Sequence, residues 1–121
     1  MAEILVIDDD TDILDYIRTA LQDLHTVTTA NDGERGLFEC ERRSFDLIIT
    51  DIFMPFRDGL DILREVKNSY PDIKTIAMTG YATKGNADYL KAAEAMGANA
   101  TLPKPFTVEQ LFVVVDSVLA P

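Results

Sequence analysis

Three observations predict that this 121-residue chain folds as one doubly wound α/β domain covering residues 1–121. Short apolar runs alternate five times with patterns of helical period, an order that implies a parallel sheet with helices on both faces. The runs themselves, such as Ile4-Leu5-Val6 and Leu47-Ile48-Ile49, are nearly continuous in apolar residues, as strands covered on both faces are. Apolar residues make up 47% of the chain and Gly and Pro are few, so there is enough to fill one core and too little of the rest for a disordered or fibrous chain.

Each element has its own signal. The strands are expected at Ile4 to Asp8, Thr26 to Thr29, Leu47 to Asp51, Ile73 to Thr79 and Ala100 to Pro103, the second being the most polar and least marked. Ile13, Leu14, Ile17, Leu21 and Leu24 recur at helical spacing and define a first helix, with Asp10 as its N-cap and Asp12 as a first-turn acid favoured by the helix dipole. A second helix is expected from Gly33 to Arg43 with Leu37 and Cys40 inward, and a third from Gly59 to Asn68 on Leu60, Leu63 and Val66, with Pro71 beyond its end. The fourth, Ala87 to Met96, is Ala-rich and stops at Gly97, a residue suited to a helix C-terminus. The fifth shows Val108, Leu111, Phe112, Val115, Val118 and Leu119 on one stripe behind a Thr107 cap, and leaves Val113 and Val114 outside it.

Charge and cysteine content narrow the function. A net charge of −10 argues against a nucleic-acid surface, which needs a basic patch, and suits a cation ligand or basic partner surfaces. The lone Cys40 cannot form an internal disulfide and reads as a small core residue; His25, the only histidine, reads as structural or surface. No signal-peptide pattern and no apolar stretch of membrane-spanning length is present, so a soluble, cytoplasmic protein is expected.

In doubly wound folds ligands bind beyond the carboxyl ends of the strands. At those ends this sequence places Asp8 and Asp9, then Asp51, then Thr79-Gly80, then Lys104-Pro105. Carboxylates crowded in this way repel one another, and a divalent cation relieves the repulsion. Mg²⁺ (or Mn²⁺) takes oxygen ligands from one or two carboxylates plus a phosphate. With such an ion present, Asp51 is suited to attack a phosphoryl group, Lys104 to add a point charge, and Thr79 to donate a hydrogen bond.

The stretches "ILVIDDD", "IITDIFMPFRDGLDIL", "IAMTGYA" and "GANATLPKPF" resemble, in order and spacing, the receiver domain of bacterial two-component response regulators. The resemblance spans essentially the whole chain. It implies a flavodoxin-like sheet in strand order 2-1-3-4-5, with five helices. It makes Asp51 the phosphoacceptor, Asp8 and Asp9 the metal-site acids with Asp51, and Phe53 a metal contact through its backbone carbonyl. Thr79 becomes the switch hydroxyl and Lys104 the phosphate-contacting ammonium. Phe53 and Tyr81 become side chains that govern water's access to the phosphoryl group. Met54-Pro55 and Asp58-Gly59 match the loop after the acceptor, Gly59 for a tight turn, and Pro105 matches a proline often preceded by a cis bond.

The implied partners are a histidine kinase or histidine phosphotransfer protein upstream, and a downstream protein or output domain. The implied contact surface is the fourth helix, fifth strand and fifth helix, where a dimer would also form. One position departs from the family: Thr101 stands where receivers usually carry Tyr or Phe, so the expected conformational response moves to Thr79 and the loop from Gly80 to Gly85. A haloacid-dehalogenase phosphatase would need Thr or Val where Asp12 stands; a calcium loop would need Gly and Glu where Ile13 and Thr19 stand. A flavodoxin would need a phosphate cradle where this chain has acids. The remaining alternative is a receiver-fold interaction module that works without phosphorylation.

Overall fold

The computed structural model describes residues 1–54, 58–80 and 86–121, with side chains in the last segment from 91 onward. The expectations placed on Pro55, Tyr81 and Gly85 lie outside the described residues. The strands are β1 (Glu3–Ile7), β2 (Thr26–Ala30), β3 (Leu47–Asp51), β4 (Lys74–Thr79) and β5 (Ala100–Pro103). The helices are α1 (Thr11–Leu21), α2 (Gly33–Arg42), α3 (Gly59–Ser69), α4 (Asn86–Ala95) and α5 (Val108–Leu119). All pairings are parallel, in the order β2-β1-β3-β4-β5. The chain therefore runs outward from β1 in both directions, and the strand order reverses between β1 and β3.

Side chains alternate across the sheet and fill two layers. Ile4, Val6, Ile49, Ile76 and Met78 face Leu14, Ile17 and Leu21 of α1 and Leu111 and Val115 of α5. Leu5, Ile7 and Ile48 face Cys40 of α2 and Ile62 and Val66 of α3, while Ala77 meets Leu63 and Ala93. Each fully buried Leu or Ile contributes roughly 1.5–3 kcal/mol, so the stripes of α1, α3 and α5 outweigh their weak intrinsic propensity.

The helix starts follow from local chemistry. Asp10, Asp32 and Asp58 accept the backbone N–H groups of Asp12, Arg35 and Asp61 at 2.9, 2.7 and 2.9 Å. Thr107 and Gln110 form a reciprocal capping box at 3.1 and 2.8 Å. Gly97, at φ 96°, ends α4: its N–H donates to Glu94 O and the next N–H, of Ala98, to Ala93 O, both at 3.0 Å. This Schellman arrangement needs the left-handed conformation that glycine supplies.

Several boundaries differ from the sequence reading, most by one residue, and three of them bear on the core or the carboxyl edge. Leu24 is not on α1: the helix stops at Leu21, the N–H groups of Leu24 and His25 both turn back to Leu21 O, and Leu24 is 56% exposed. β1 ends at Ile7, so Asp8 lies just past the strand, and β4 starts at Lys74, after Ile73. On α5, Val113 is exposed as expected, but Val114 packs against the core. Cys40 is buried, which pushes its thiol up to about 11, helped by Glu39 and Glu41.

Candidate functional site

The carboxyl edge of the sheet is built by residues at or just past the ends of β1, β3, β4 and β5. The backbone of Asp8 is still held to β2, its N–H donating to Ala30 O at 3.1 Å. Its side chain is fully buried, with Oδ1 accepting the N–H of Asp10 at 2.9 Å. Asp9, next in the chain, is exposed. Asp51 closes β3 and is 5% exposed. From the far side, Lys104 follows β5, its N–H donating to Thr79 O at 2.9 Å. Its ammonium reaches back to Asp8 Oδ2 at 2.7 Å and to Asp51 Oδ1 at 3.3 Å. The first contact is a hydrogen-bonded ion pair. The second is an ion pair without hydrogen-bond geometry, so Asp51 Oδ1 is buried with no hydrogen-bond partner among the described residues.

One lysine does not neutralise this cluster. Burial, together with the charge of Asp8, pushes the Asp51 carboxyl up to about 6 against the opposing pull of Lys104. Burial likewise raises the Asp8 carboxyl despite its bond to Lys104. For Lys104 burial acts downward, but Asp8 and Asp51 outweigh it and raise the ammonium above its ordinary value. One carboxylate oxygen from each of Asp8, Asp9 and Asp51 lies within 4.8 Å of the others. Hard oxygen donors at that spacing, one of them buried and orphaned, fit a small divalent cation.

Two backbone features press on Asp51. A Cβ on Gly59 would stand 2.0 Å from Asp51 O and 2.7 Å from Ile52 Cα, and the Gly59 N–H donates to Ile52 O at 2.8 Å. Gly59 is therefore required by close approach rather than by the tight turn read from sequence. Thr50, fully buried, donates its hydroxyl to the same Asp51 carbonyl at 3.1 Å. The Gly59 contact has no signature in the local sequence, because it depends on how α3 folds back over β3; the Thr50 bond joins neighbours within β3.

The other residues singled out from sequence fall as follows. Thr79 is buried at the last position of β4 and is tied through its carbonyl to Lys104. The Phe53 ring, 43% exposed, lies over Gly80, whose Cβ position would be 3.7 and 3.9 Å from two of its atoms. Thr101 does not reach the edge; it pairs with Ala77 within the sheet and is half-buried. The Lys104–Pro105 bond is cis, as the resemblance implied.

The response regulator receiver domain family matches residues 4–116 of the chain. This protein is a receiver domain. It is 41% identical over 120 residues to the DNA-binding transcriptional regulator NtrC of Azospirillum brasilense, covering 98% of this chain and 24% of that one. It is 30% identical over 118 residues to a probable chemotaxis protein CheY of Rhizobium etli, covering 96% of this chain and 91% of that one. The crystal structure of a response regulator receiver domain protein from Clostridium thermocellum superposes with a TM-score of 0.87 at 38% identity, over 98% and 94% of the two chains. The chain thus spans about a quarter of the NtrC relative and nearly all of the CheY relative. As a receiver domain it belongs with the response regulators of two-component systems, a family of signalling proteins. Among the described residues no helix is long and apolar enough to cross a membrane.

Proposed function

We propose that Asp51 accepts a phosphoryl group from the phosphohistidine of a histidine kinase or phosphotransfer protein. The observation that carries this reading is the buried, unpartnered Oδ1 of Asp51, set 3.3 Å from the Lys104 ammonium inside a triad of carboxylates. A carboxylate oxygen of Asp51 bonds to phosphorus as the bond from phosphorus to the donor nitrogen breaks, and the departing imidazole takes up a proton. Asp8, Asp9 and Asp51, with the Phe53 carbonyl, are the residues that would hold Mg²⁺ or Mn²⁺, which supplies positive charge to the phosphoryl oxygens. Lys104 adds a further charge, and Thr79 donates its hydroxyl to the transferred group. Hydrolysis uses the same residues: a water oxygen bonds to phosphorus as the bond to the Asp51 oxygen breaks, freeing the carboxylate and inorganic phosphate.

The signal leaves by the other side of Lys104. The Lys104 N–H is bonded to Thr79 O, so movement of Thr79 toward a phosphoryl group pulls on the chain entering α5. A groove of about 430 Å³ lies there, lined by Thr101, Leu102, Pro103, Pro105, Val113 and Val114. With Thr101 half-buried within β5, no ring is available at that position to swing inward, and Thr79 takes the larger part of the switch. We assign the face formed by α4, β5 and α5 to a downstream protein, an output domain or a second copy, without direct contact to nucleic acid, and place the protein in the cytoplasm. Exposed apolar surface beside a polar rim is the usual mark of such a contact.

The test is mass spectrometry after incubation with a small phosphodonor and Mg²⁺. One added phosphoryl group is expected, absent in Asp51→Asn and strongly reduced in EDTA. Labelling that survives Asp51→Asn moves the acceptor elsewhere, and equal labelling in EDTA removes the metal from the reading.

A further inference from the structure

Helix α2 presses its small residues into the sheet, Gly36 so closely that a Cβ there would stand 2.4 Å from Ile7 Cδ1. At about 3.6 residues per turn, the position opposite the buried stripe of Gly33, Gly36 and Cys40 is Phe38, which is 47% exposed. An aromatic ring at the crest of a helix, turned away from every core layer, adds nothing to those layers.

The ring is flanked by two rows of opposite charge. On one side stand Arg35 and Arg42, with guanidinium carbons 5.2 and 5.6 Å from the ring centroid. Both are anchored by the buried Glu39, at 3.3 and 3.1 Å, which fixes them on that side. On the other side helical spacing puts Glu34 and Glu41.

We propose that this face pairs with the same face of a second copy of the chain, the two helices parallel about a two-fold axis with Phe38 at the centre. A two-fold axis running along the helices sets the arginine row of each copy against the glutamate row of the other. Arg35 then meets Glu34 of the partner subunit, and Arg42 meets Glu41 of the partner subunit. An axis perpendicular to the helices, which would make them antiparallel, sets arginine against arginine and glutamate against glutamate. The charge pattern is thus self-complementary in one orientation only, as an isologous contact requires.

The overall charge of −10 opposes association. At physiological salt, where the Debye length is about 8 Å, that long-range repulsion is largely screened, while pairs in contact are not. One helix from each copy makes a contact smaller than a standard interface, so the dimer is weak and concentration-dependent. It is also separate from the face formed by α4, β5 and α5, because α2 packs on β1 and β2 at the opposite side of the sheet.

The experiment is sedimentation velocity on the full chain from roughly 10 μM to 1 mM, at physiological salt and without phosphodonor. Monomer–dimer exchange is expected, unchanged in Asp51→Asn, and weakened about tenfold or more in Phe38→Glu. Glu34→Arg with Glu41→Arg makes both rows cationic while leaving the partners of Glu39 in place, and should weaken it to a similar degree. A spin label on Glu41→Cys in a Cys40→Ala background should broaden amide signals near Arg42 of an isotope-labelled second copy, more than those near Glu34. A chain that stays monomeric throughout, associates equally well as Phe38→Glu, or broadens near Glu34 instead, overturns the proposal. None of these outcomes bears on phosphorylation of Asp51.

Discussion

The two ends of this sheet use the same side-chain chemistry for opposite purposes. At the amino end, three polar residues each stand one position before a strand and capture a backbone N–H from the strand or segment alongside. His25, before β2, accepts the Ala2 N–H on Nδ1 at 3.0 Å. Asp46, before β3, accepts that of Glu3 at 2.8 Å, and Asn99, before β5, accepts that of Thr75 at 2.9 Å. The main chain of each neighbour is bonded back, Thr26 to Ala2 O at 3.0 Å, Asp46 to Glu3 O at 2.8 Å and Asn99 to Thr75 O at 2.9 Å. Each side chain therefore prolongs a parallel ladder by one rung. At the carboxyl end the acids face one another instead, and Asp51 Oδ1 accepts nothing among the described residues. Charge that a backbone satisfies holds the fold together; charge left opposed is available for a ligand.

The largest effect should come from Gly59→Ala, which tests whether the backbone beneath the strained carboxylates is itself relaxed. The new Cβ meets main-chain atoms of Asp51 and Ile52, which cannot move without shifting the end of β3. A loss above about 4 kcal/mol is expected by denaturant titration. The companion Gly36→Ala meets side-chain rather than main-chain atoms, those of the buried Ile7, and should cost less, about 1–3 kcal/mol. Equal costs for the two would show that the loop over Asp51 gives way easily.

Next comes the amino end. Asn99→Ala keeps its main-chain bond but leaves the Thr75 N–H without its acceptor, at a cost of about 1–3 kcal/mol, and phosphodonor labelling of Asp51 should be unchanged. Slower labelling would mean that the two ends are mechanically coupled along β4 and β5.

The carboxyl end should respond in the opposite direction. Because the Asp51 carboxyl sits at about 6 in the fold against an ordinary 3.8, the native state holds a proton between those values that the unfolded chain has lost. Its contribution to stability is therefore lost as pH rises through that window. Lys104, raised from 10.5, stays charged across the same window and leaves the sign unchanged. Metal-free protein should lose stability from pH 4 to 7. Asp51→Asn should remove its own share of that slope, leaving the share owed to Asp8, whose carboxyl burial also raises, and gain on the order of 1–2 kcal/mol at pH 7, the lost ion pair with Lys104 being set against the relieved repulsion. Adding Mg²⁺ should raise the wild-type melting temperature at pH 7 and do less for Asp51→Asn. A flat pH profile would mean that the cluster is already neutralised.

The difference between the ends also explains what could be read from sequence. The carboxyl-edge residues were legible because each falls where an apolar run stops: Asp8, Asp51, Thr79 and Lys104 announce themselves by position. The rungs at Asp46 and Asn99 were not, since a polar residue before a strand looks like any loop residue until the neighbouring strand is known. Strand order is likewise absent from local pattern and came only through resemblance. Leu24 misled because helical spacing continues past the turn that ends α1. The buried Glu39 was invisible because its three arginines, Arg35, Arg42 and Arg43, are its own helical neighbours and read as a solvated face.

The smallest effect concerns how long the opposed charge stays useful once it carries a phosphoryl group. The Phe53 ring lies over Gly80, immediately beyond Thr79, and so spans the gap between the ends of β3 and β4. Water approaching an acyl phosphate on Asp51 from that side must pass the ring. Phe53→Asn replaces it with a smaller group able to hold a water by hydrogen bonding, and should speed hydrolysis a few-fold, about 1 kcal/mol on the barrier. Phe53→Leu keeps the bulk without a polar atom and should change the rate little. The comparison is made by following loss of the label after removal of the phosphodonor. If Asn and Leu accelerate hydrolysis alike, polarity at this position is irrelevant and the aromatic ring itself, not side-chain bulk in general, is what keeps water out. If neither does, water reaches the phosphoryl group by another route, past Asp9, the exposed acid of the cluster.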